Sequence, residues 1–207
     1  MLFRSNIAEP PAIRIDFDSI SNNPGLTRIL VGLGDSVRLN PRVFNDDGSR
    51  VIIDTVRWSP MRYLSFDATG GILRPFVRPL EDSTYTITVY DVNGCVSTET
   101  VFIEVDRNRN VFIPTAFSPN GDDRNDRFAV QTGVGVAKIN YFRIYDRWGE
   151  VVFDRQNILP NNDVYNNGWD GTFKGSPMQP GVFVYLAQIV FEDGKVLLYR
   201  GDVTLLK

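Results

Sequence analysis

The chain of 207 residues contains no histidine. That removes the commonest general base, the commonest metal ligand and the middle member of a Ser-His-Asp triad. It has a single cysteine, Cys95, so no internal disulfide can form and cysteine usage does not indicate a redox compartment. Cys95 is expected as a small buried apolar residue rather than a reactive thiol. No apolar run approaches the roughly 18 residues that a membrane-spanning helix needs, so no membrane insertion is expected. Met1-Leu2-Phe3-Arg4 lacks the apolar stretch of a secretory signal, so an exported protein with this sequence is expected to be a fragment of a longer one. The formal net charge is only -3, with Lys and Arg scattered among Asp and Glu. There is no basic face for nucleic acid or anionic lipid.

Catalytic signatures are equally sparse. There is no G-x-S-x-G elbow, no G-x-x-x-x-G-K-[ST] loop and no C-x-x-C, and Gly133-Val134-Gly135 lacks a third glycine and a following helix. Paired carboxylates such as Asp16 with Asp18, or Asp122 with Asp126, are the remaining hydrolytic candidates. On a strand, however, Asp16 and Asp18 share a solvent face. The chain is read as not an enzyme and without a small-molecule substrate.

What is present is alternation. Ile13-Arg14-Ile15-Asp16-Phe17, Tyr85-Thr86-Ile87-Thr88-Val89 and Val101-Phe102-Ile103-Glu104-Val105 each switch between apolar and polar with period two, the mark of half-buried antiparallel strands. No long window keeps helical spacing, and 17 glycines and 12 prolines punctuate the chain. The expected fold is all-β: two consecutive antiparallel β-sandwich, immunoglobulin-like domains. The polar run Asp106-Arg107-Asn108-Arg109-Asn110 divides them into residues 1–106, a short linker at 107–110, and residues 111–207. In the first domain, Asn93-Gly94 suits a type I′ hairpin turn, in which both central residues take positive φ. Trp58-Ser59-Pro60 and Asp91-Val92-Asn93-Gly94, in this order, resemble the PKD-type or related immunoglobulin-like repeats of large bacterial surface proteins. The resemblance implies that Trp58 lies on a central strand and packs between the sheets.

The second half holds four turn clusters between strands: Ser118-Pro119-Asn120-Gly121-Asp122 running on to Asn125-Asp126, Arg147-Trp148-Gly149, Trp169-Asp170-Gly171 and Pro180-Gly181. In this order they resemble the gliding-motility-associated C-terminal domain, the type B sorting domain of the type IX secretion system. Asp123 stands where that family usually has Gly, and Thr115 where Asn is common. The resemblance implies a C-terminal sorting signal that directs a large passenger protein to the cell surface or medium, periplasmic in transit. It also implies partners in the type IX machinery, including an outer-membrane protein of the PorP/SprF kind. The first domain would then be a spacer. An adhesin, or a module binding carbohydrate or protein, is the alternative.

Three groups of candidate residues follow. Asn120, Asp122, Asp123, Asn125 and Asp126 concentrate oxygen atoms as Ca²⁺ would require, although Asn120-Gly121 with carboxylates capping N–H groups makes an ordinary turn from the same residues. Asn45-Asp46-Asp47-Gly48 reads the same way. Trp148 and Trp169, each beside a glycine, could stack on sugar rings but are expected to pack over the end of the sandwich. The terminal residues Arg200, Gly201, Asp202, Val203, Thr204, Leu205, Leu206 and Lys207 belong to a final strand. An edge strand at a free terminus can be recognised by β-augmentation, and the resemblance points to it as the secretion signal.

Overall fold

The computed structural model describes residues 11–17, 27–160 and 167–207; Asp18, one of the paired carboxylates, lies outside them. The chain divides into two compact units, Met1–Asp106 and Arg107–Lys207.

In the first unit the alternating segments become the strands their pattern dictates. β1 (Ile13–Phe17) buries Ile13, Ile15 and Phe17 and exposes the residues between. β8 (Ser83–Asp91) buries Tyr85, Ile87 and Val89, and β9 (Val96–Asp106) buries Val101, Ile103 and Val105. A four-stranded sheet runs in the order β2 (Thr27–Gly32), β9, β8, β5 (Ile53–Ser59). Two smaller sheets complete the unit: β1 with β4 (Pro41–Asn45), and β3 (Val37–Arg38) with β7 (Phe76–Val77) and β6 (Leu64–Ser65). Inward residues of β1, β5, β8 and β9 share one core. Each buried aliphatic or aromatic side chain there contributes about 1.5–3 kcal/mol relative to exposure.

Two features differ from the expectation. β2 pairs with β9 in parallel, Thr27 opposite Val101. No hairpin joins these strands, so no turn forces an antiparallel entry. Trp58 is buried as expected, its indole donating to the Ile72 carbonyl at 2.9 Å and its ring 6.2 Å from Phe17. Its strand, β5, is however the edge of the sheet and not a central strand.

The 91–95 turn also departs from the expected type I′. Gly94 has φ +83°, but Asn93 is not among the residues with positive φ. Asp91 and Cys95 close the loop backbone to backbone, and Asp91 Oδ1 accepts from the N–H groups of Asn93 and Cys95. Only one left-handed residue is needed in such a longer loop, and glycine supplies it. Cys95 is half-buried and packs against the core.

The segment from 66 to 75 is pinned by Asp67. Its carboxylate accepts from the N–H groups of Gly70 and Thr69 and from Arg38, Nη2 to Oδ2 at 2.5 Å. The Gly70 N–H, followed by the guanidinium, holds the Asp67 carboxyl down at about 2 against an ordinary value of 3.8. Since the folded value is the lower one, the stabilisation is complete above 3.8 and is lost as pH falls towards 2. Asp67→Asn is therefore expected to lower the melting temperature at neutral pH, with the difference from the parent closing as both are titrated towards pH 2. An unchanged difference across that range would show that the charge on Asp67 contributes nothing.

Candidate functional site

In the second unit, β13 (Val136–Tyr145), β14 (Val151–Ile158), β17 (Gly181–Phe191) and β18 (Val196–Leu205) form the body of a five-stranded sheet. Its order is β11 (Ala116–Phe117), β18, β17, β13, β14. β10 (Val111–Phe112) pairs separately with β12 (Gln131–Thr132). Of the residues expected as a linker at 107–110, Arg109 and Asn110 contact this unit. Arg109 makes a largely buried ion pair with Asp193 at 2.6 Å and lies over the Phe191 ring, and the Asn110 carbonyl accepts from Gly133. The guanidinium beside it lowers the Asp193 carboxyl below the usual range.

The first, third and fourth turn clusters meet at the end of β18, where Gly181 pairs with Leu205. β11 pairs with it in parallel, Ala116 opposite Thr204 and Phe117 opposite Leu205. The Thr204 N–H donates to the Thr115 carbonyl and the Leu206 N–H to that of Phe117, each at 2.9 Å. Phe117 stacks on Phe128 and tilts against Trp169, which meets Phe183 edge-on at 4.8 Å. Trp169 is only 1% exposed, and its indole N–H donates to the Thr172 carbonyl at 2.8 Å. Gly171 has φ +76°, and a Cβ there would stand 3.1 Å from Leu205 and 3.2 Å from Pro119. The first cluster, the third and the last strand therefore touch at one point.

Loop 118–126 is closed by its own side chains. Asp126 Oδ1 accepts from the N–H groups of Asn120 and Gly121, and Oδ2 from that of Asp123. Asp122 accepts from Arg124, and Asn120 from Asp122. The Gly121 N–H, with those of Asp123 and Asn120, depresses the Asp126 carboxyl. Asp123 and Asn125 both take left-handed φ, +62° and +53°. This accounts for the departure at Asp123: the position suits glycine, and aspartate is among the few side chains that tolerate it. Among the described residues no group of three or more His, Cys, Asp or Glu is placed to hold a metal ion.

Trp148 is where the sequence expectation fails. Rather than folding over the sandwich, it is 85% exposed at the tip of the β13–β14 hairpin. Asp146 Oδ1 accepts from the N–H groups of Trp148 and Glu150, and Gly149 takes φ +83°. The turn is thus fixed beyond the sheet, while Trp169 and Phe183 already fill the core nearby. Beside the exposed ring lies a groove of about 300 Å³, lined by Arg147, Pro177, Met178, Val182 and Phe183 among others.

The terminal candidates separate by burial. Val203 and Leu205 are core residues; Gly201 and Thr204 are half-buried; Arg200, Asp202, Leu206 and Lys207 are exposed. Gly201 lies under Tyr185, where a Cβ would come within 2.8 Å of the phenol oxygen. β18 is not a free edge at its end, since β11 covers Thr204 and Leu205. The Thr204 N–H faces β11, so by strand alternation the backbone groups of Val196, Leu198, Arg200 and Asp202 face the same way. Among the described residues no strand pairs with that stretch.

Residues 111–205, just under half of the chain, match the family model described as the CHU_C type IX secretion signal domain. The second unit is therefore a type IX secretion signal domain. Among solved structures, dimeric latent PorU from Porphyromonas gingivalis is 15% identical with a TM-score of 0.32, over 96% of this chain and 20% of that one. The fibronectin(III)-like modules of CbhA from Clostridium thermocellum are 12% identical with a TM-score of 0.30, over 93% of each chain. Neither likeness bears on function at such scores. This chain spans about a fifth of the PorU chain, and no curated protein matches it.

Removing residues 203–207 is expected to unfold the second unit, because it deletes two core side chains and the ladder to β11. Gly171→Ala should cost about 1–3 kcal/mol, through positive φ and contact with Leu205 and Pro119. Denaturant melts of the second unit measure both; a truncated unit that melts cooperatively like the parent would refute the account.

Proposed function

We propose that the second unit is read by the type IX machinery as a folded surface and delivers the polypeptide ahead of it across the outer membrane. The observation that supports this most directly is that the end of the chain is consumed by the fold, whereas Trp148 is held out of it. A signal in a loose tail would leave Val203 and Leu205 accessible, and here both are buried. The exposed ring, Arg147 and the adjoining groove combine the residue types that dominate protein–protein hot spots. We take them as the contact for an outer-membrane partner of the PorP/SprF kind. The task is delivery, not catalysis, and the first unit serves as a stiff spacer between passenger and signal.

A binding-module reading rests on the same exposed ring, which could stack on a sugar. The two separate in an export assay using a fluorescent protein with a Sec signal peptide fused ahead of the whole chain. Trp148→Ala should shift stability by no more than about 0.5 kcal/mol, as for a solvent-exposed side chain. It should nevertheless leave the reporter in the periplasm of a competent host. Normal export by this variant would remove Trp148 from the signal and favour the binding module. Arg200→Pro, which removes an outward N–H and spares the ladder to β17, tests the open edge of β18 in the same assay.

We further propose that loop 118–126 needs no calcium, because backbone N–H groups and the Asn120 side-chain amide already use the carboxylate oxygens of Asp122 and Asp126. Millimolar calcium is expected to leave the melting temperature of the second unit unchanged; a rise of several degrees would assign a cation to the loop.

A further inference from the structure

The first unit has an open side that neither a sorting signal nor a spacer requires. The 45–49 turn joins β4 to the chain leading into β5, with Phe44 bridged to Arg50. Beyond that bridge the two arms diverge into different sheets. Among the described residues β4 otherwise pairs only with β1, and β5 is the last strand of its sheet. Between them lies a cleft of about 930 Å³ whose floor includes Val43, Ile53 and Leu73. β4 lines the cleft from Pro41 to Phe44 and the chain entering β5 lines it from Arg50 to Ile53, with no strand paired between them among the described residues.

The rim carries charge of one sign. Arg42, Arg50 and Arg74 line the cleft, and no acidic residue among the described ones does. Arg42 is 3.8 Å from Asp16, whereas Arg50 and Arg74 have no ion-pair partner among the described residues. Ile52, also lining the cleft, is 68% exposed. Free backbone donors and acceptors along an edge select an extended polypeptide over a sugar or a nucleic acid. An apolar floor beneath a cationic rim selects side chains that alternate, since successive residues of a strand point to opposite faces.

We propose that this cleft binds an extended polypeptide strand with alternating apolar and acidic side chains. The strand pairs with the open edge where the chain enters β5, sets its apolar residues on Val43, Ile53 and Leu73, and presents its carboxylates to Arg50 and Arg74. Bidentate guanidinium–carboxylate pairs supply the charge selectivity, and strand pairing supplies the conformational selectivity.

The test is fluorescence anisotropy with the full chain and a labelled octapeptide alternating valine and glutamate. Comparison peptides alternate valine with lysine, contain glutamate alone, or carry N-methyl groups on alternate amides of the first sequence. Saturable binding of the valine–glutamate peptide is expected, weakened at least about tenfold by Arg50→Ala with Arg74→Ala and by N-methylation. Arg50 and Arg74 are exposed, so this double variant should keep the parent melt. Amide exchange in β5 should slow when the peptide is bound. The proposal is overturned by no saturable binding up to about 1 mM. Equal binding of the valine–lysine peptide, or undiminished binding by the double variant, would overturn it too. Equal binding of the glutamate-only and N-methylated peptides would indicate a plain anion patch and reject strand pairing.

Discussion

The second unit depends on a two-residue parallel pairing, Ala116 and Phe117 against Thr204 and Leu205. It is small in hydrogen bonds but large in what it buries. Phe117 and Leu205 become core residues together, and Trp169, Phe128 and Phe183 close around them. Because the pairing joins the first turn cluster to the last strand, loop 118–126, Gly171 and the chain end form one cooperative structure. The integrity of the unit therefore cannot be separated from that of its final residues.

One turn device recurs around this frame. Asp91 and Asp146 each accept from the N–H groups two and four residues later, with a left-handed glycine at the third position. Asp193 and Asp170 cap the residue two positions on, and Asp126 gathers three N–H groups across a longer loop. The acidic character of the turns is thereby a backbone matter. Aspartate is used where N–H groups converge, and the same clustering of oxygen atoms is what a calcium site would require.

The three tryptophans show how far pattern reasoning reaches. Trp58 alternates with Val56 and was legible as inward-facing, yet its sheet position was not, because strand order depends on contacts distant in sequence. Trp148 and Trp169 look alike in one dimension, each beside a turn glycine. Their fates diverge because Trp169 bridges to Phe128 and finds a carbonyl at Thr172 for its indole, whereas the Asp146 turn carries Trp148 past the end of the core. Competition for one apolar space settles which ring is buried, and such competition has no local signature. The cleft between β4 and β5 was likewise invisible: Arg42, Arg50 and Arg74 are scattered in sequence and meet only because a hairpin splits between two sheets.

The sequence by itself determined the all-β class, the alternation of the long strands, the turn positions and the family of the second unit. These are short-range properties, set by period-two burial and by the backbone demands of glycine, asparagine and aspartate. Tertiary structure decided that β2 and β11 enter in parallel, that β18 ends covered, that Arg109 belongs to the second unit and that Trp148 is left in solvent. Each of these rests on pairings between segments tens of residues apart, where the free energy of burial, and no local preference, chooses among partners the sequence leaves open.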